Sequence, residues 1–122
     1  MSSDPLKTEV ILALDVENRQ KALAILAEVG SGLKWVKVGL QSFLRDGPDF
    51  VRELSDKGYD VFLDLKLHDI PNTVSGAVRA LGSLGVSWVT LHGLGGMAML
   101  SEARGALGDQ TIIPGFSGTR LL

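Results

Sequence analysis

Four short apolar runs recur along the chain, Val10–Leu14, Trp35–Val38, Val61–Leu65 and Trp88–Leu91, and a stretch of helix length follows each. The first such stretch, Asn18–Val29, puts Ala22, Ile25, Leu26 and Val29 on one face, with Asn18 placed to cap it. A second is expected from about Pro48, a residue suited to a first helical turn, through Phe50, Val51 and Leu54. A third follows Pro71 with Val74, Ala77, Val78 and Leu81 as its stripe, and a weaker fourth spans Gly96–Leu107, interrupted by Gly105. Gly30, Gly58, Gly85 and Gly108 fall just past these helices, where a left-handed closing residue belongs. A strand–loop–helix–glycine unit repeated in this way predicts an α/β protein whose parallel sheet is covered by helices. Residues 111–118 are rich in turn formers, and Leu121-Leu122 reads as the opening of a fifth strand.

Composition narrows the class. With 122 residues and 45% hydrophobic content, residues 1–122 suffice for one domain with a core. A net charge of −2 provides no basic footprint for nucleic acid. There is no cysteine, so disulfides and thiolate metal sites are excluded. No apolar run approaches the roughly 18 residues of a membrane span, and the start lacks the character of a signal peptide. These features predict a cytoplasmic protein with no membrane partner.

The polar residues are less evenly spread than in an ordinary half-exposed sheet. Asp15 is the first charge after the first run, Lys37 interrupts the second, and the fourth ends in Thr90-Leu91-His92-Gly93. The third continues as Asp64-Leu65-Lys66-Leu67-His68-Asp69-Ile70-Pro71-Asn72-Thr73. A strand of period two would put Asp64, Lys66 and His68 on one face and Leu63, Leu65 and Leu67 on the other. Every unit thus carries a titratable group at or near the C-terminal end of its strand, the end at which α/β sheets and barrels bind ligands. Taken singly, Asp15 also suits a loop cap and Lys37 an ammonium that snorkels outward. His68 and His92 read as supporting residues, Trp35 and Trp88 as core at the far end of the sheet, and Met97 and Met99 as helix packing.

No metal is expected, because Lys66 places a fixed positive charge between the carboxylates that would hold a cation. The glycine-rich stretches Gly93–Gly96 and Gly115–Gly118 lack a Walker lysine and read as turns. No nucleophile–base pair of the Ser–His or Cys–His type can be assembled.

With these motifs in view, the chain resembles the orotidine 5′-phosphate decarboxylase family. The resemblance is carried by Leu12–Asp15, Lys37–Gly39, the decapeptide Asp64–Thr73 and Val89–Gly93, and extends over nearly the whole chain. It implies a (β/α)8 TIM barrel, of which this chain covers about the first four βα units. It also implies conversion of orotidine 5′-phosphate (OMP) to uridine 5′-phosphate (UMP) in pyrimidine biosynthesis without a cofactor, by a homodimer whose sites are shared across the interface. Carried over by position, Lys66 is the proton donor to C6 of the pyrimidine, and Asp64 lies beside the substrate carboxylate and holds Lys66. Asp69 enters the neighbouring subunit's site with Ile70 and Thr73 beside it, Thr73 reaching the ribose. Asp15 and Lys37 grip the ribose hydroxyls.

The departure from the family is length, since a (β/α)8 barrel takes about 250 residues. The family's phosphate grip and pyrimidine contacts come from its C-terminal half, which leads to a second expectation, a catalytically incomplete fragment. A third is a magnesium-dependent sugar-phosphate decarboxylase or synthase of the same superfamily. Such relatives share the aspartate–lysine–aspartate spacing but carry a glutamate near the end of strand two, where this chain has Lys37-Val38-Gly39.

Overall fold

The structure, a computed structural model, describes residues 8–107 and 120–122. Its strands are β1 (Ile11–Ala13), β2 (Trp35–Gly39), β3 (Asp60–Leu67), β4 (Trp88–Leu91) and β5 (Arg120–Leu121). Its helices are α1 (Arg19–Val29), α2 (Leu40–Asp56), α3 (Pro71–Gly82) and α4 (Met97–Leu107). Strands pair in sequence order, β1-β2-β3-β4-β5, and every pairing is parallel. The repeat in the sequence is therefore a repeat of βα units, the α/β class expected from it. Gly108 and the turn-rich residues 111–118 lie outside the described residues.

The sheet has two unlike faces because the strands alternate. Val36, Val38, Val61, Leu63 and Val89 are wholly buried, and they form one core with Leu26, Phe50, Val51, Leu54 and Leu81 from α1, α2 and α3. A second cluster, Val74, Val78, Met99, Ala103 and Leu107, joins α3 to α4. Alternate strand residues point the other way: Trp35, Lys37, Phe62, Asp64, Trp88 and Thr90 are each only partly buried. On that face Trp35 and Trp88 pack with ring centroids 4.7 Å apart, and Phe62 meets Trp88 edge-on at 5.7 Å. The two tryptophans thus begin their strands at the end of the sheet expected for them, partly buried in an aromatic ladder on the open face. The Trp35 indole N–H donates to Glu9 Oε2 at 2.6 Å, giving its polar edge a partner.

The helices begin and end for local reasons. Asn18 is extended and its side chain accepts from the Lys21 backbone N–H at 2.8 Å, so it caps α1 as expected. Pro71 opens α3, where its missing N–H costs no helical hydrogen bond. Two stripe residues differ from expectation: Val29 is exposed at the end of α1, and Met97 is exposed while Met99 is buried.

The larger difference is in α2. Helix begins at Leu40, directly after β2, and runs to Asp56 with a break at Gly47, whose φ of 71° is left-handed. Pro48 starts only the second segment. Leu40 and Leu44 of the first segment are exposed while Ser42 is buried, so the apolar spacing points away from the buried side and conceals the helix. Ser42 instead donates its hydroxyl to the Leu14 carbonyl at 3.3 Å, tying the start of α2 to the end of β1. Arg45, from the same segment, donates to the carbonyls of Val16 and Glu17 at 2.9 and 2.7 Å and so holds the loop that follows Asp15.

Asn18→Ala removes a cap and leaves the α1 N-terminus one acceptor short, with an expected loss of about 1 kcal/mol in stability. A lower urea midpoint with an unchanged denaturant slope is the expected reading. An unchanged midpoint would mean that water replaces the cap without cost.

Candidate active site

Parallel pairing with a stagger brings the polar ends of the strands together. Ala13 is level with Lys37, and Gly39 is level with Asp64. The Lys37 stem therefore rises along the open face toward both neighbouring strands. Its ammonium lies 3.6 Å from Asp15 Oδ2 and 3.8 Å from Asp64 Oδ2. Lys66 Nζ lies 3.0 Å from each oxygen of Asp64. Charges thus alternate in one line, Asp15, Lys37, Asp64, Lys66. A Cβ at Gly39 would stand 3.1 Å from Asp15 Oδ1, so the missing side chain leaves room for that carboxylate. These residues and Leu65 line an open cleft of about 430 Å³ at the C-terminal end of the sheet.

The plain alternation expected of β3 stops at Leu63. Leu63 is level with Val89 and Leu67 with Leu91, so β3 spends four residue steps where β4 spends two. The irregularity is taken up at Lys66, whose φ of 50° is the sole left-handed value at a non-glycine residue among the described residues. That conformation costs of order 1 kcal/mol for a residue with a side chain. Within this irregularity the Lys66 N–H donates to Thr90 Oγ1 at 2.8 Å. The Thr90 hydroxyl then donates to Asp64 Oδ1, also at 2.8 Å. As a consequence Leu65 lines the same cleft as Asp64 and Lys66, where a regular strand would have turned it to the opposite face.

Asp64 is the hub of the arrangement. Its side chain is 14% exposed, against 65% for Lys66 and 60% for Asp15. Burial alone would push its pKa up. Hydrogen bonds from Lys66 and Thr90, with the attraction of the Lys66 and Lys37 charges, outweigh burial and hold the carboxyl below the usual carboxylate range. A carboxylate fixed in this way keeps a cation at hand. The arrangement is suited to holding an anionic or hydroxylated ligand, stabilising negative charge that develops beside Lys66, and delivering a proton to it.

The remaining candidates stand apart from this line. Asp69 is exposed and its Oδ1 accepts from the adjacent Ile70 N–H at 2.7 Å; among the described residues it has no ion pair with Lys66. Ile70 is 65% exposed and Thr73 is exposed in the first turn of α3. His68 and His92 stack with centroids 4.9 Å apart, and His92 Nδ1 accepts from the Leu94 N–H at 3.1 Å, capping the short turn of helix that follows β4. Two parts of the site escaped the sequence reading. Thr90 carries no charge, and its only signal is being the one polar side chain in Trp88–Leu91. The left-handed Lys66 gives no signal at all, since lysine has no preference for that conformation.

Because Asp64 is held low in the native state, its ionic contribution to stability is full above the unfolded carboxyl value near 3.8 and disappears as pH falls through the native value. The stability difference between the wild type and Asp64→Asn is therefore expected to stay constant from neutral pH to about 4 and to shrink with further acidification. Urea titrations across that range measure it. A difference that begins to shrink well above pH 4 would mean that burial dominates and the carboxyl is raised.

The fold and site together define a parallel α/β protein that gathers a line of alternating charges in a cleft at the C-terminal ends of its strands. Comparison with known proteins takes the assignment further. Residues 8–115 match the Orotidine 5′-phosphate decarboxylase / HUMPS family model, and the chain belongs to that family. An orotidine 5′-phosphate decarboxylase of Lactiplantibacillus plantarum is 42% identical over 118 residues, covering 96% of this chain and 50% of that protein. One from Halalkalibacterium halodurans is 48% identical over 103 residues, covering 84% and 44%. The crystal structure of orotidine 5′-phosphate decarboxylase from Lactobacillus acidophilus superposes with a TM-score of 0.82 at 40% identity, covering 94% of this chain and 51% of the other. The enzyme structure from Pyrococcus horikoshii gives 0.72 at 30% identity, covering 79% and 47%. The α/β architecture is thus that of part of a TIM-barrel enzyme, and the chain spans about half the length of the relatives it matches.

Proposed function

We propose that this chain carries the proton-donating half of an orotidine 5′-phosphate decarboxylase site, with Lys66 as the donor. The observation that supports this reading most is the Lys66 ammonium held 3.0 Å from both oxygens of Asp64, with Lys37 and Asp15 continuing the line. Loss of carbon dioxide from C6 of the pyrimidine leaves an electron pair in the ring plane, where no π system delocalises it. A nearby fixed cation stabilises that pair and then supplies the proton. Asp64 holds the cation and lies beside the leaving carboxylate, and Asp15 and Lys37 bind the ribose hydroxyls. No step calls on a metal or an organic cofactor.

Asp69, Ile70 and Thr73 fit the same reading as contributions to the site of a second subunit. Their exposure, and the separation of Asp69 from Lys66 within one chain, support that role. A homodimer in the cytoplasm, with OMP as substrate and UMP as product, completes the proposal. A strictly monomeric species by sedimentation would remove the shared-site part of it.

The shared half-length favours one further reading, that the isolated chain holds the motif without the rest of the machinery. Binding of a remote phosphate normally contributes to turnover as well as to affinity, so a chain without those contacts would lose both. The magnesium-dependent sugar-phosphate alternative is less well supported, because Lys37 lies within the ion-pair line at the strand where those relatives carry glutamate.

Loss of OMP absorbance on addition of the protein tests the main reading. Lys66→Ala is expected to lower turnover by at least about 10²-fold, the usual contribution of a positioned general acid. Wild-type protein with no turnover alone, but with turnover on adding a separately made C-terminal half of a relative, would establish the incomplete-fragment reading. Magnesium-dependent turnover of a keto-sugar phosphate would overturn both.

A further inference from the structure

We propose that Thr90 is the positioning residue of this site, its hydroxyl fixing the Asp64 carboxylate and the Lys66 backbone at the same time. The proton arrangement follows from the partners. A backbone N–H can only donate, so Thr90 Oγ1 is the acceptor toward Lys66; an ionised carboxylate can only accept, so the same hydroxyl is the donor toward Asp64. Since Lys66 Nζ also donates to Asp64, the three residues close a ring: Lys66 N–H to Thr90, Thr90 O–H to Asp64, Asp64 to Lys66 Nζ.

The ring connects two features that are otherwise unrelated. The β3–β4 register is irregular between Leu63 and Leu67, left-handed Lys66 lies within that stretch, and Thr90 receives its N–H there. The carboxylate that carries the ammonium is least exposed of the four charged groups, and Thr90 supplies its one neutral donor. Thr90 stands behind Asp64 and Lys66 and is not itself among the residues that line the cleft. Its effect on chemistry therefore passes through Asp64 and Lys66. Serine preserves the ring, whereas valine keeps the shape of threonine and abolishes both hydrogen bonds.

What the ring does in turnover rests on the decarboxylase reading; the ring itself does not. The test is accordingly made on the unliganded chain, by ¹³C NMR titration of the Asp64 carboxyl, assigned with Asp64→Asn, together with the ¹H–¹⁵N signal of the Lys66 amide. In Thr90→Val the Asp64 midpoint is expected to move up and the Lys66 amide signal to shift, while Thr90→Ser keeps both near wild type. Thr90→Ala provides the same comparison should the valine variant not fold. A wild-type Asp64 midpoint and Lys66 amide signal in the hydroxyl-free variant would overturn the proposal, because a residue that merely fills space in β4 would leave both unmoved. Shifted signals in the hydroxyl-free variant, with a wild-type chain that never turns over OMP, would uphold Thr90 and count against the decarboxylase reading alone.

Discussion

A carboxylate removed from water must be paired or lose its charge, and Asp64 is the point at which this chain meets that requirement. Three groups converge on it: the Lys66 ammonium and the Thr90 hydroxyl donate hydrogen bonds, and the Lys37 ammonium makes a longer ion pair at 3.8 Å. They come from three adjacent strands, so the charge of one side chain constrains the relative placement of β2, β3 and β4. Asp15 extends the same pattern to β1 through Lys37. Without the negative charge at the centre, two ammonium groups would share one cleft with only the more exposed Asp15 to compensate them. The network is therefore a condition of packing these strand ends together, apart from any chemistry it performs.

The two faces of the sheet explain why such a network is affordable in an otherwise apolar strand set. Val36, Val38, Val61, Leu63 and Val89 spend their burial against the helices. The opposite face carries large side chains along the strands. Trp35, Phe62 and Trp88 pack together, and Lys37, Asp64 and Thr90 each follow two residues later on the same strand, with the strands staggered so that Lys37 is level with Phe62 and Asp64 with Gly39. An aromatic residue followed by a polar one on the same face of each strand is what a period of two residues produces from Trp–Val–Lys and Phe–Leu–Asp.

Much of this was legible in the sequence. The βα repeat, the Asn18 cap and the Pro71 helix start depend on local chemistry, and local chemistry is written in consecutive residues. Asp15, Lys37, Asp64 and Lys66 could be placed at one end of the sheet because each ends or interrupts an apolar run. The first segment of α2 was hidden because Leu40 and Leu44 face outward and Ser42 inward, which reverses the usual signature of a buried helix face. For Trp35 and Trp88 the far end of the sheet was legible but not the face, because hydrophobicity shows that a side chain seeks cover but not which side of a strand supplies it. The bulge at Lys66 depends on how two strands are registered, a tertiary property with no trace in the decapeptide itself.

The bulge also resolves a conflict built into that decapeptide. A regular strand would carry Asp64, Lys66 and His68 upward on one face at even spacing, with each charge about 7 Å beyond the last. At that spacing a lysine stem can fold back to its aspartate only by giving up extension into the cleft. Beside the bulge the Lys66 ammonium reaches both carboxylate oxygens while most of its side chain stays open to the cleft. Beyond the bulge the chain leaves in another direction, with Asp69 bonded to its own backbone neighbour and Pro71 starting α3. One left-handed residue thus separates the charge held by Lys66, Lys37 and Thr90 from a charge that has no ion pair among the described residues.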